Sequence, residues 1–293
     1  MVKNIKNKRI YRSPLRYPGG KGCIFKFMTQ FFEENDLIGT DYAEPYAGGA
    51  GLALRLMMDE YVGEIFINDL NPSIYAFWHA VLNNTDALCE WIEKVPVTVE
   101  QWNIQRQVQE NYKTVDILEL AKSTFFLNRT NVSGVISGGI IGGFNQKGKY
   151  KIDARFNKIE LINRIRDIQR FSHRIHLYNL DGIDFVKQLE RMKRDIFIYL
   201  DPPYYKKGSD LYMNAFCDDD HEKLADYVKA IRKKWIMSYD NQKFIMQLYE
   251  NNKKVLYQLS QCASNRVGDE ILIFDDRLHC SESISQLNTP LFV

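Results

Sequence analysis

The sequence predicts an α/β protein whose Rossmann-like, doubly wound sheet is split by an inserted, mostly helical domain. Three observations carry this. Over the first seventy residues the chain reads strand, glycine turn, helix, strand, acid, the order of a βαβ nucleotide-binding unit. The alternation resumes near residue 174 and reaches an apolar strand, 196–200, that is stopped by Asp201-Pro202-Pro203-Tyr204-Tyr205. Between these halves lie four helical patterns with no strand to interrupt them.

Taken in order, Arg16-Tyr-Pro-Gly-Gly-Lys21 is a turn-rich loop leading into a helical pattern over 24–32. Residues 41–45 form a short strand that runs into the turn Tyr46-Ala-Gly-Gly-Ala-Gly51, followed by a helix over 52–61. A second strand, 64–68, ends at Asp69, and Asn71-Pro72 opens the next helix with proline at its first position. Helices are predicted over 74–82, 86–94, 99–112 and 115–127. The polar span 128–151 holds six glycines from Gly134 to Gly148 and is too long for a plain connection, so it reads as a functional loop or hairpin. Asn157 can cap a helix that runs to about 171. A strand over 174–179 closes on Asp181, and a helix over 183–192 leads to the strand 196–200. A helix over 218–232, a strand over 235–239, a helix over 242–250 and strands over 254–261 and 270–274 complete the pattern. The expected division is a first catalytic part, 1–74, an insert, 75–165, and a second catalytic part, 166–293.

With 293 residues, 45% apolar and 26% charged, the chain is long enough for a sizeable core and has the balance of an ordinary globular protein. No apolar run approaches the roughly 20 residues that span a bilayer, so no membrane partner is expected. The basic segment Lys3, Lys6, Lys8, Arg9 and Arg12 is not followed by an apolar signal stretch. The five cysteines (Cys23, Cys89, Cys217, Cys262 and Cys280) show neither metal-ligand spacing nor a disulfide framework, which predicts a reducing cytoplasm and no metal. The net charge of +2 says little, but its distribution says more. Residues 75–121 carry three basic side chains against seven acidic, whereas 122–166 carry nine basic against two acidic. That excess is either a solvated basic face or a footprint for phosphate.

Two stiff sites converge on one chemistry. The glycine turn lets a backbone approach a ligand closely, and Asp69, about 20 residues on at the tip of the next strand, can take a ribose diol. A nicotinamide dinucleotide competes for this topology, but Gly48 and Gly49 are adjacent and Arg55 stands where a small residue would close-pack. Carboxylates at Glu44 and Asp69 favour a cationic, phosphate-free nucleoside, as S-adenosylmethionine is. Asp201 and the Pro202 carbonyl can then each accept one hydrogen of an aromatic amine, freeing its lone pair and stabilising the cation that develops. Tyr204 offers a stacking face, worth about 1–3 kcal/mol for a base. Direct transfer needs positioning and no covalent nucleophile.

Arg16-Tyr-Pro-Gly-Gly-Lys21, Glu44-Pro-Tyr-Ala-Gly-Gly-Ala-Gly51, Asn68-Asp69 and Asp201-Pro-Pro-Tyr204, in that order, resemble the Dam-type adenine-specific DNA methyltransferases. The resemblance covers essentially the whole chain. It implies a methyltransferase sheet with a target-recognition insert, S-adenosylmethionine as cofactor, and double-stranded DNA as partner, with an adenine flipped out and methylated at N6. It implies cofactor contacts from Tyr17, Lys21, Asp69, Asp181 and Asp201, which join Glu44 and Gly48 of the turn, and it sets Asp201 between cofactor and target adenine, where Pro202 and Tyr204 complete the catalytic group. On the DNA side it points to Arg16, Arg129, Asn131, Lys147, Lys149 and Arg155, the later ones in or beside a DNA-contacting hairpin. Ala50 stands where the family's second turn glycine is common, and 132–149 differs from GATC-specific members, so no recognition sequence follows. A monomer on DNA is compatible with all of this. RNA or protein acceptors, or a DNA-binding module with a vestigial pocket, stay open as alternatives.

Overall fold

The computed structural model describes residues 12–17, 19–206, 216–260 and 267–293. Pro18 of the first motif, Cys262, and Gln261 at the end of an expected strand lie outside these residues. The strands are β1 (Asp41–Glu44), β2 (Ile65–Asn68), β3 (Ile175–Tyr178), β4 (Ile196–Leu200), β5 (Trp235–Asp240), β6 (Lys254–Ser260), β7 (Val267–Phe274) and β8 (Leu291–Phe292). Among the described residues they form one mixed sheet in the order β3-β2-β1-β4-β5-β7-β6-β8. The first five in that order are parallel, and β7 runs antiparallel between β5 and β6. β8, which the sequence pattern did not reveal, is too short to carry an alternation signal.

Side-chain alternation sorts the core into two layers. Tyr42, Phe197, Tyr199, Ile236, Leu272 and Phe274 share one buried cluster, and Ala43, Ile196, Ile198, Leu200, Met237 and Ile273 share the other. The second face is covered by α8 (Gly182–Arg191), α9 (Asp218–Ala230) and α10 (Lys243–Leu248), through Phe185, Leu189, Leu224, Val228 and Ile245. The first face packs against α1 (Phe25–Glu34) and α2 (Gly51–Met58), and its cluster continues into the insert. Burying each such side chain contributes about 1.5–3 kcal/mol.

The insert comprises α3 (Pro72–Asn83), α4 (Thr85–Lys94), α5 (Val99–Glu110), α6 (Ile117–Thr130) and α7 (Lys158–Gln169). The Asn71 side chain accepts the Ser73 N–H at 2.9 Å and caps α3, with Pro72 in its first turn. The boundary expected after residue 74 therefore falls inside a helix. Phe77 of α3 and Phe125 of α6 stack at 5.9 Å, and both belong to the same apolar cluster as Tyr42 and Phe197 of the sheet.

The expected hairpin over 132–149 is not a strand ladder. Its one β-type pairing among the described residues is the bridge Asn131–Ile140. Glycines 134, 142 and 143 adopt φ of +80°, +84° and +71°, and local bonds such as Gly138 N–H to the Val135 carbonyl (2.9 Å) fold the span into successive turns. So many glycines and so little β-branched alternation favour turns over an extended ribbon.

Candidate active site

The motif residues assemble along the carboxyl edge of the parallel strands. Gly48 sits just beyond β1 with φ +47°, and a Cβ there would come within 2.6 Å of the Tyr17 ring. The first motif is therefore packed directly onto the glycine turn. Asp69, beyond β2, accepts the Gly48 N–H through Oδ2 and the Asn71 N–H through Oδ1, each at 2.9 Å. Trp78 donates its indole N–H to the Gly48 carbonyl at 2.8 Å, fixing the turn from below. A carboxylate has about four acceptor sites, so Asp69 keeps two for a diol. Burial pushes Asp69 up to about 6, against the pull of the two backbone N–H groups.

Glu44 ends β1, is buried, and accepts the Tyr42 hydroxyl (3.0 Å) and the Ala53 N–H (3.1 Å). Burial raises it to about 8. Asp181 is exposed and caps α8, its Oδ1 accepting from Ile183 N–H at 2.9 Å.

Asp201 follows β4 on the same face as Tyr199. Ser238 of β5 donates to its Oδ1 at 2.7 Å and itself accepts from the Tyr199 hydroxyl at 3.0 Å. The Lys21 ammonium, with 4% of its side chain exposed, lies 2.9 Å from the Asp201 carboxylate. It also donates to the Tyr204 hydroxyl (2.7 Å) and the Gly19 carbonyl (3.0 Å). Burial alone would lower Lys21, but Asp201 and Glu270 hold it well above its ordinary value. Tyr204 is half-buried and tied to Lys21, its ring 6.3 Å from that of Tyr239. Pro202 is buried behind it. Tyr205 packs on Phe244 and His221, and the N–H groups of Tyr205 and Lys206 both donate to Asp240 at 3.0 Å. That anchors the turn at its far end.

The basic residues fall into two groups. Lys147, Lys149 and Arg155 are exposed on the turn-rich span and just after it, with Lys149 and Arg155 over the Tyr150 ring at 5.8 and 5.5 Å. Arg16 and Arg129 are half-buried and held by carbonyls: Arg16 on Asn131 (3.0 Å), and Arg129 on Arg155 (2.7 Å) and Pro14 (3.4 Å). Burial and the nearby Arg16, Arg164 and Arg155 lower Arg129 to about 9. Asn131 corrects the sequence expectation of a DNA contact. It is fully buried, its Nδ2 donates to the Val135 and Ile136 carbonyls, and its Oδ1 accepts from Trp102 at 2.6 Å. Its amide organises the loop: both of its donors are used within it, and the side chain is closed off from the surface.

Sequence reading missed five residues that position the others: Asn128, Ser238, Asp240, Tyr257 and Glu270. Asn128 is buried in α6 and brackets Arg16, accepting its N–H (2.8 Å) and donating to its carbonyl (2.7 Å). Ser238 and Glu270 carried a usable signal, because a polar residue on the core-facing register of a predicted strand needs a buried partner.

Among the described residues, no three His, Cys, Asp or Glu side chains are grouped to hold a metal ion, and no helix is long and apolar enough to cross a membrane. A cleft at the β3 edge, lined by residues including Tyr75, His79, His173 and His176, contains none of the motif residues.

An acid with spare acceptors beside a glycine turn, next to a strand-end carboxylate, is the arrangement of a nucleoside-binding α/β edge. The chain belongs to the D12 class N6 adenine-specific DNA methyltransferases, whose family profile matches residues 17–262. It is 27% identical to the type II methyltransferase M.CviBI of Paramecium bursaria Chlorella virus NC1A, over 88% of this chain and 95% of that one. It is 23% identical to a DNA adenine methylase of Haemophilus influenzae, over 92% and 95% of the two chains. A solved rRNA methyltransferase, aviRa from Streptomyces viridochromogenes, superposes with a TM-score of 0.38 at 11% identity, covering 92% of this chain and 88% of that one. The protein is thus a DNA adenine-N6 methyltransferase that uses S-adenosylmethionine. The residues fit that cofactor: Asp69, beside the glycine turn, retains two acceptors for a ribose diol, and the Asp201 carboxylate lies on the same edge.

Proposed function

We propose that the enzyme acts on an adenine flipped out of duplex DNA, with Asp201 as the residue where base and methyl donor meet. The observation that carries this reading is the fixed carboxylate of Asp201, held by Ser238 at one oxygen and flanked by Lys21, on the same edge as Gly48 and Asp69. When bound, S-adenosylmethionine supplies an electrophilic methyl on a sulfonium. Asp69 accepts the ribose hydroxyls, and the Tyr17-backed glycine turn sets the depth of the nucleoside. Asp201 and the Pro202 carbonyl accept the two amine hydrogens, so that the adenine nitrogen points its lone pair away from the ring plane. Tyr204 stacks on the base, and Asp181 serves the cofactor adenine. Flipping is required because a paired adenine hides its amine inside the stack.

Lys147, Lys149 and Arg155 are the phosphate-facing group in this reading, with Arg16 and Arg129 as a second, more buried pair. Arg129 is held among like charges with its proton affinity lowered, a state that a phosphate would relieve.

Asp201→Ala tests the site. Methyl incorporation into a duplex oligonucleotide should fall by about 10²-fold or more, the scale of losing a group that stabilises developing charge. Cofactor and DNA affinities should stay measurable. Turnover near the wild-type rate would sink the assignment.

A further inference from the structure

Glu270 belongs to none of the motifs, yet it is a buried carboxylate at the reactive edge. Because β7 runs antiparallel, its leading half lies at the carboxyl ends of its parallel neighbours. Register sets Glu270 opposite Asp240 of β5 and Tyr257 of β6. Alternation puts it on the face of Leu272 and Phe274, the face that carries Tyr199. Its side chain is 3% exposed, with Oε2 3.6 Å from the Lys21 ammonium and accepting from the Tyr257 hydroxyl at 3.0 Å.

Lys21 does not need it for hydrogen bonding. An ammonium has three donors, and Asp201, Tyr204 and the Gly19 carbonyl already accept them. What Glu270 adds is charge. Asp201 and Lys21 alone sum to zero, and a neutral pair gives little to an amine that is turning cationic. With Glu270 ionised the cluster is net negative. The other titratable groups facing Glu270 are Tyr199, Tyr204, Tyr257 and Cys23. Burial pushes all four up, Cys23 to about 11, so they stay neutral at working pH and add no charge of their own.

The geometry points to Glu270 as a positioning residue for methyl transfer, whose charge offsets Lys21 so that Asp201 acts on the adenine amine as an unneutralised carboxylate. This rests on Asp201 being the amine acceptor. In the transfer, the nitrogen lone pair forms the new N–C bond and the S–C electron pair returns to sulfur. The nitrogen then carries the positive charge until one of its protons leaves to water, and a net negative cluster favours that interval.

The test compares Glu270→Gln with wild type in single-turnover methylation of a duplex oligonucleotide, at saturating cofactor and DNA, from pH 5 to 9. Glutamine keeps the size and an acceptor for Tyr257 but removes the charge. The expected result is a rate about tenfold to a hundredfold lower at pH 8, as for loss of one preorganised charge near the reacting atoms. The cofactor Kd should stay within about threefold.

Burial raises Glu270 above the ordinary carboxylate range although Lys21 draws it back, so the wild-type rate should fall as pH drops through that raised value. Glu270→Gln should lose this acid limb. Asp69 and Glu44 titrate in both proteins, so the difference profile isolates Glu270.

Tyr257→Phe removes the hydrogen bond and keeps the charge, and should stay within about threefold of wild type. A wild-type rate and acid limb in Glu270→Gln overturns the inference, as does a Tyr257→Phe loss equal to that of Glu270→Gln. An active Asp201→Ala would instead overturn the site reading itself.

Discussion

The reactive edge and the loop over 131–157 are built by opposite means. The edge is made of side chains far apart in sequence: Lys21 meets Asp201 across 180 positions, and Tyr199 meets Ser238 across 39. Nearly every polar atom there answers to another buried one. The loop is made of backbone bonds between near neighbours, such as Gln146 N–H to the Gly143 carbonyl, and its charged side chains project outward. One region holds side chains against one another across the sheet, and the other offers charge on a locally folded scaffold. A substitution in the first should alter the chemistry, whereas one on the rim of the second should alter only the encounter with DNA.

The largest expected break in that comparison comes from the exposed basic trio. Replacing Lys147, Lys149 and Arg155 by alanine removes up to three phosphate contacts, and each contributes about 0.9 to the salt slope. Between 50 and 200 mM salt the wild type should then lose about 40-fold more affinity for duplex DNA than the triple variant. The Arg129 bond survives because it is made to the backbone carbonyl of Arg155. An unchanged slope in a filter-binding titration would remove this face from the DNA account.

Next in size is the buried Asn131. Its alanine variant leaves the buried Trp102 N–H without a partner and takes one bond from each of the Val135 and Ile136 carbonyls, which should cost about 1–3 kcal/mol in a denaturant titration. A loss of DNA affinity at unchanged stability would return Asn131 to the DNA surface.

The smallest effect is a titration. Asp69 is raised to about 6, and a ribose diol needs its ionised form. Cofactor affinity should therefore be level above that pH and fall about tenfold per unit below it, as calorimetry can follow. Asp69→Asn should flatten the curve.

Much of the edge was legible in the sequence, because the motifs sit where apolar strands stop. Asp69 and Asp201 each follow a buried run, and strand ends of doubly wound sheets are where ligands bind. What the motifs did not reveal was their support. Ser238 meets Asp201, Glu270 meets Lys21 and Tyr257 meets Glu270 only through the register of β5, β7 and β6, and register is set by pairing across the sheet. The basic span was legible as charge and illegible as shape. Its glycines announced turns, but Asn131 looked like its polar neighbours until Trp102 was found beneath it. The boundary expected after residue 74 falls within α3, whose apolar face serves the sheet and the insert at once.

The Asn128 bracket around Arg16 has a consequence for how the loop beside it can vary. Asn128 recognises backbone atoms alone, the N–H and carbonyl of residue 16 and the carbonyl of Gly134. Gly134 must stay bare, since a Cβ there would come within 2.4 Å of the Arg16 carbonyl oxygen. One amide and one glycine thus form a joint indifferent to the side chains around it. Side chains beyond residue 134 can therefore change without disturbing the bonds that tie the first motif to α6.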